Sequence, residues 1–177
     1  MSAGQGRMRE AFVVDTNVLV TAESTADRTR PCIQQCHHRL RELRNGGCIV
    51  LDNGWEILGE YRRNLRTGRQ PGLGFEFFKW LLNSQGNAEL CTFVTITEHP
   101  SRGYQEFPDH DGLSDFDPAD RKFVAVAARH PDNPVILQAT DSKWVGWGPA
   151  LRQCGIEVEF VCLTEITATY ERKMARG

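Results

Sequence analysis

No hydrophobic run in the 177-residue sequence approaches the length of a bilayer span, which argues against a membrane protein. The apolar stretch nearest the N-terminus follows Arg7 and Arg9 but is cut at Asp15, too short for a signal peptide. The six cysteines form no C-x-x-C pair, and several sit inside apolar runs such as Cys48-Ile49-Val50-Leu51. Buried free thiols in a reducing cytoplasm explain them better than a disulfide framework does. Internal repeats and low-complexity tracts are absent. Excess positive charge is absent too, since a formal net charge of -2 excludes a uniformly basic nucleic-acid binder. These absences predict a cytoplasmic protein with no membrane partner.

What is present is an ordinary globular composition, 40% hydrophobic and 25% charged, in a chain long enough to bury a substantial core. We expect a flexible N-terminus over residues 1–11 and one domain over residues 12–177. Charge is unevenly spread: residues 1–88 hold twelve Lys or Arg against nine Asp or Glu, and residues 89–177 hold nine against fourteen. A basic face in the first half and an acidic cluster in the second are both permitted.

Phe12-Val13-Val14 reads as a buried strand that stops at an acid, Asp15, and Pro134 to Asp141 repeats the pattern. Between them strands alternate with helices. Cys32, Ile33, Cys36, Leu40 and Leu43 have helical spacing within residues 25–45, closed by Gly46-Gly47; Cys48 to Leu51 is a strand. Asn53-Gly54-Trp55-Glu56 reads as an N-cap and its third-position acid, opening a helix through Leu65. A loop from Arg66 to Gly74, a helix from Phe75 to Leu82 and a strand from Phe93 to Thr97 follow. Residues 98–117 read as a long acidic loop, functional or mobile by its length. Asp117 as N-cap and Pro118 at the first helical position open a helix whose run Phe123 to Ala128, apolar nearly all round, makes it central. A helix from Trp147 to Cys154, a strand from Val158 to Cys162 and a polar helix from Thr164 to Lys173 complete the chain. The alternation predicts an α/β protein: three α/β/α layers around a central, mostly parallel sheet.

Carboxylates at the ends of neighbouring parallel strands face the crevice where open α/β sheets hold ligands. Asp15 and Asp141 converge there if their strands are neighbours. Two converging carboxylates repel unless a proton or cation lies between them, which points to a hard divalent metal. A lone acid between Phe12-Val13-Val14 and Val18-Leu19-Val20 is also costly to bury without a partner. Four segments then stand in order: Val14-Asp15-Thr16-Asn17-Val18-Leu19, Glu60 after the second strand, Asp120-Arg121-Lys122-Phe123-Val124-Ala125-Val126-Ala127, and Ala139-Thr140-Asp141. In order and spacing, from about Phe12 to Cys162, they resemble the four acidic motifs of PIN domain nucleases, including the VapC-like toxin ribonucleases. The resemblance implies a compact α/β/α fold and an endoribonuclease site for Mg²⁺ or Mn²⁺ formed by Asp15, Glu60, Asp120 and Asp141. Asn17 and Thr140 would be its polar neighbours. It also implies an RNA substrate, a homodimer and, for a toxin, an antitoxin protein seated in the acidic groove. Two features depart from the pattern. The stretch 98–117 is longer than in the compact bacterial toxins, and Thr140 directly precedes the acid where the family more often has its hydroxyl residue one position earlier.

Phosphodiester hydrolysis needs an activated in-line water and a stabilised leaving oxygen, and carboxylate-held metal ions supply both. Mg²⁺ needs only one or two direct carboxylates. Rigid strand ends make Asp15 and Asp141 the first choices, with Glu60 and Asp120 holding bound waters or a second position. Structural roles compete at each acid. Asp120 follows the Asp117 cap, where the helix dipole alone favours an acid. Glu60 lies one turn after Glu56, and like charges at that spacing destabilise a helix unless a cation offsets them. Asp52 also ends a strand and reads as a turn or cap acid.

Arg62, Arg63, Arg66 and Arg69 follow Glu60 and are candidate phosphate contacts. Trp144, Trp147 and Tyr104 are candidates to stack on unpaired bases, although Trp147 suits helix packing better. Cys32-x-x-x-Cys36-His37-His38 invites a zinc reading but lacks a second ligand cluster. Asp109, Asp111, Asp115 and Asp117 resemble scattered calcium ligands, with Gly112 misplaced for an EF-hand. Two other functions stay open. One is a non-catalytic RNA-binding or scaffold protein on the same fold. The other is a phosphatase with Asp15 as nucleophile, against which Asn17 stands where that chemistry wants a second Asp.

Overall fold

The computed structural model describes residues 9–24, 30–65 and 71–176. In chain order it contains β1 (Glu10–Val14), α1 (Thr16–Glu23), α2 (Pro31–Gly46), β2 (Gly47–Asp52), α3 (Glu56–Asn64), α4 (Leu73–Ser84) and β3 (Cys91–Val94). A small hairpin of β4 (Glu98–His99) and β5 (Gly103–Tyr104) follows, then α5 (Arg121–Arg129), β6 (Val135–Gln138), α6 (Lys143–Gln153), β7 (Val158–Phe160) and α7 (Leu163–Met174). The expected three-layer α/β/α architecture is present. Five strands form one sheet in the order β3-β2-β1-β6-β7, every pairing is parallel, and helices flank it. No helix among the described residues is long and apolar enough to cross a membrane.

The strand order decides where a ligand can bind. The chain winds outward through β1, β2 and β3, then returns to the other side of β1 with β6 and β7. Winding direction therefore reverses between β1 and β6, and open α/β sheets bind ligands at the carboxyl ends of the two strands at such a reversal. Phe12 pairs with Val135, Val13 with Ile136 and Val14 with Leu137. Asp15 thus leaves the sheet beside Gln138.

Both faces of the sheet are covered, so the central strands are continuous apolar runs rather than alternating ones. All six residues of β2 are buried, as are Phe12, Val13 and Val14. α5 is central as expected, and burial extends even to Arg121 and Lys122 at its start. Leu40, Leu43, Tyr61, Phe77, Leu81 and Trp144 are core members contributed by the surrounding helices.

Several boundaries differ from the sequence reading. Residues 1–8 lie outside the described set, but Glu10 and Ala11 already belong to β1 rather than to a flexible tail. α2 begins at Pro31, and 25–29 are not described. α1 was hidden in the run Val18-Leu19-Val20. Asp15 turns the chain there, its extended backbone and its carboxylate, which accepts the Asn17 N–H at 2.8 Å, forming the N-cap of a helix. α1 packs against α2, α3 and α4. It approaches α4 so closely that a Cβ on Gly74 would lie 2.1 Å from the Leu19 carbonyl oxygen, which is why glycine stands there.

The cap of α3 comes from Asp52, not Asn53. Its two oxygens accept the N–H groups of Glu56 at 2.8 Å and Ile57 at 2.9 Å, while Asn53 donates to Thr95. Asp117 caps only a turn, through Ala119 N–H at 3.0 Å, and α5 starts later, at Arg121. α6 starts at Lys143 and accommodates Pro149, earlier than a Trp147 start.

The stretch 98–117 is not a featureless loop. It holds the antiparallel β4–β5 hairpin and a short 3-10 turn over Asp111–Leu113. It also buries Phe107, Leu113 and Phe116. The Arg121 guanidinium binds it from below, donating to the carbonyls of Phe116, Ser114 and Ser101 at 3.0–3.4 Å and lying 4.9 Å over the Phe107 ring. Polar composition concealed these anchors because each sits alone among turn residues.

The cysteines also depart in part from expectation. Cys36, Cys48, Cys91 and Cys154 are free, but Cys32 and Cys162 are joined in a disulfide. α2 carries Cys32 and Cys36 one turn apart on its buried face, and the N-cap position of α7 brings Cys162 to them. Cys36 Sγ lies 3.8 Å from Cys162 Sγ, and burial, with Glu165 adding to it, pushes the Cys36 thiol up to about 12.

Candidate functional site

Each of the four sequence-selected acids arrives on a different element, and all belong to the carboxyl-end side of the sheet. Asp15 follows β1 directly. Glu60 lies in the second turn of α3, Asp120 at the N-cap position of α5, and Asp141 in the turn between β6 and α6.

Asp15 is 1% exposed. One oxygen is used in capping α1, while Oδ2 is buried with no hydrogen-bond partner. Burial raises its pKa well above the usual carboxylate range; Asp120 and Glu60 raise it further, while the Asn17 N–H and Lys122 act in the opposite direction. A buried carboxylate oxygen without a donor is a costly arrangement that a bound cation would relieve.

Glu60 is bound on both oxygens. Thr16 Oγ1 donates to Oε1 at 2.6 Å, and Lys122 Nζ forms an ion pair with Oε2. Lys122 is therefore the cation that offsets the Glu56–Glu60 spacing, and its ammonium also donates to the Ala119 carbonyl. Sequence reading passed over Lys122 and Thr16. The only signal for Lys122 was a cation opening an otherwise apolar helix; Thr16 carried none beyond adjacency to Asp15.

Asp120 Oδ2 accepts the Trp144 indole N–H at 3.3 Å. Its carboxyl is pushed up to about 6, chiefly by burial, with Asp117 and Asp141 adding repulsion against the pull of Trp144 and Lys122. Asp141 Oδ1 accepts the Lys143 N–H at 3.0 Å, which fixes it at the entry to α6. Its turn is organised by Gln138, another residue the sequence reading missed. The buried Gln138 side chain reaches forward, and its Oε1 accepts the N–H groups of Ala139, Thr140 and Asp141 at 2.8–3.3 Å. Gln138 Nε2 is buried without a partner, as Asp15 Oδ2 is, and the β1–β6 register makes the two residues neighbours.

The acids influence one another electrostatically, yet no three of them bring ligand atoms within 4.8 Å of one another. Among the described residues only Cys32, Cys36 and Cys162 make such a group, and two of those sulfurs are bonded to each other, which removes the zinc reading. Asp109, Asp111, Asp115 and Asp117 do not gather either. Asp109 pairs with Arg102, and Asp115 accepts the Trp147 indole N–H at 3.0 Å.

The polar neighbours separate. Asn17 contributes its backbone N–H to Asp15, whereas Thr140 is exposed and is held through its own N–H by Gln138. Asp52 is a cap acid, with both oxygens engaged at the start of α3. Arg62 and Arg63 are exposed on α3; Arg66 and Arg69 lie outside the described residues. Trp144 is 0% exposed and packs edge-on against Phe116, so it cannot stack on a base. Its job is to hold Asp120. The spacing that put it near the site was right, but a helix starting at Lys143 turns its side chain into the core. An open groove of about 640 Å³ is lined by Asp115, Asp117, Lys143 and Trp147 among others, residues that neighbour Asp120 and Asp141 in sequence without including them.

Compared with family models, curated proteins and solved structures, the chain finds no match.

Proposed function

We propose that this chain is a PIN-like, Mg²⁺- or Mn²⁺-dependent endoribonuclease that hydrolyses phosphodiester bonds in single-stranded or looped RNA. The observation that carries the reading is Asp15 Oδ2, a buried carboxylate oxygen without a donor. It lies at the switch point of a doubly wound sheet, where Asp120 and Glu60 act on it electrostatically and Asp141 in turn acts on Asp120. Oxygen donors of this kind suit a hard cation that keeps several of its own waters, so the wide spacing of the acids fits direct ligation by one or two of them.

Asp15 and Asp141 are the residues that would hold the ion, each with one oxygen fixed by a backbone N–H and the other free among the described residues. When bound, such an ion supplies positive charge to the phosphoryl oxygens and makes water a better nucleophile at neutral pH. Asp120, oriented by Trp144, keeps Oδ1 free and would accept a hydrogen bond from the attacking water. Lys122 holds Glu60 in place. Arg62 and Arg63 would bind flanking phosphates. Water attacks phosphorus, the P–O bond to the leaving nucleoside breaks, and the products are a terminal phosphate and a hydroxyl. A toxin role with an antitoxin protein in the acidic groove, and a homodimer, are subsidiary parts of the same proposal.

The test is incubation of the purified protein with labelled, partly structured RNA and a matched DNA, with Mn²⁺, Mg²⁺ or chelator, alongside Asp15→Asn. Metal-dependent cutting of RNA that the variant loses is expected. Equal cutting by a folded Asp15→Asn protein would refute it.

One observation favours a second reading, a non-catalytic RNA-binding scaffold. The Lys122–Glu60 ion pair neutralises part of the acidic cluster internally. Under that reading the folded protein takes up no divalent ion.

A further inference from the structure

Trp55 is the one aromatic among the exposed large hydrophobic residues described, with 51% of its surface open. Its backbone is left-handed, at φ 62 and ψ 26, a region that non-glycine residues enter rarely and at a cost. Glycine stands one position earlier, at Gly54, so the strained position is filled by the largest side chain rather than the smallest. The surrounding structure enforces this geometry. Buried Asp52 clamps the N–H groups of Glu56 and Ile57, and the Trp55 carbonyl accepts the Gly59 N–H at 2.8 Å. A strained backbone that presents an unpartnered aromatic ring to solvent is an arrangement that folding alone does not favour.

The residues that follow extend the surface. Trp55 immediately precedes α3, and Gly59 and Arg63 follow within the helix, four residues apart and so on one face of it. A Cβ on Gly59 would meet Arg63 Nη1 at 3.4 Å, so the guanidinium folds back over the bare glycine. The neighbouring strip of the same helix carries Glu60, whose carboxylate enters the acidic site. An exposed aromatic ring and a planar cation thus lie on the same segment as Glu60 of the acidic site.

We infer that Trp55, Gly59 and Arg63 form a subsite for single-stranded nucleic acid, an unpaired base stacking on Trp55 while Arg63 takes an adjacent phosphate. This rests on the nuclease reading and deepens it. The ring selects single strands because a base held in a duplex has no free face to offer, whereas stacking accepts any unpaired base. It takes the role for which Trp144 is too deeply buried.

The experiment measures binding of a short, unstructured, end-labelled RNA to the Asp15→Asn protein in chelator by fluorescence anisotropy across a salt series, so that cleavage does not enter. Trp55→Ala should weaken binding roughly 5- to 150-fold with unchanged salt dependence, and Trp55→Phe should recover part of the loss. Arg63→Ala should lower the slope of log affinity against log salt by about 0.7. Trp55→Gly should bind as poorly as the alanine variant without a lower Tm, because glycine relieves the left-handed backbone. If the Asp15→Asn protein binds RNA and Trp55→Ala binds it equally well, the subsite is refuted while the nuclease reading survives. Absence of RNA binding by the Asp15→Asn protein also overturns the subsite, and the metal-dependent cutting assay then decides the nuclease reading by itself.

Discussion

Replacing Asp120 by Asn should stabilise the metal-free protein at neutral pH while removing part of its response to divalent ions. The carboxyl is raised from 3.8 to about 6 in the folded chain, with burial as the first cause and Asp117 and Asp141 as further ones. An acid with a raised folded pKa disfavours folding when it ionises. Below the unfolded value both states are protonated and there is no penalty. As pH climbs between the two values the unfolded chain ionises first, and stability falls by about 1.4 kcal/mol per unit. Above the folded value the loss is complete, nominally about 3 kcal/mol. Asp120 retains solvent contact, so screening reduces this to about 1–2 kcal/mol. Asn keeps an oxygen to accept the Trp144 N–H and removes the charge. The variant should therefore melt about 2–8 °C above the parent near neutral pH in chelator, and the gap should close as pH falls below the unfolded value. Adding Mg²⁺ or Mn²⁺ should raise the Tm of the parent more than that of the variant, since a ligand stabilises only the state that binds it. Thermal unfolding of both proteins across this pH range, with and without metal, is the assay. An Asn variant less stable than the parent at neutral pH, or a difference that does not vary with pH, would refute the electrostatic account of the site.

Two further predictions concern parts that hold the site. Gln138→Ala removes the acceptor shared by three backbone N–H groups. It should cost about 2–4 kcal/mol in urea unfolding and weaken metal-dependent stabilisation through a loosened Asp141; a loss under about 0.5 kcal/mol would show that water replaces the amide. Reduction of the Cys32–Cys162 disulfide, which closes a separation of 130 residues, should lower stability by up to about 5 kcal/mol on chain-entropy grounds. Cys162→Ser should unfold at the same denaturant concentration with and without reductant, and a parent protein indifferent to reductant would count against the bond.

The nuclease reading differs from a purely structural one in asking the fold to carry its own strain. Asp15 Oδ2 has no donor, Asp120 is pushed towards neutrality, and Trp55 holds a left-handed backbone in solvent. Such departures from local consistency gather at functional sites. Lys122 limits the strain by neutralising Glu60.

The sequence by itself determined the layers and the acids. Val13-Val14 and Ile136-Leu137 are apolar runs too short for helices, Asp15 follows the first directly and Asp141 stands four residues after the second, and helical spacing intervenes; strand and helix periods are local, so a single chain displays them. What it could not determine was which distant groups meet. Lys122 reaches Glu60 from another helix, Cys162 joins Cys32, and Arg121 holds the stretch 98–117 through backbone carbonyls that carry no sequence signal. Helix starts were equally undetermined, because a cap is a matter of which carboxylate reaches which N–H. The Asp52 carboxylate rather than Asn53 binds the first N–H groups of α3, which starts at Glu56, and Trp55 just before it is exposed. A start at Lys143 turns Trp144 inward. Side-chain direction changes by a large angle with each residue of helix phase, so only the tertiary structure decided which tryptophan is core and which is surface.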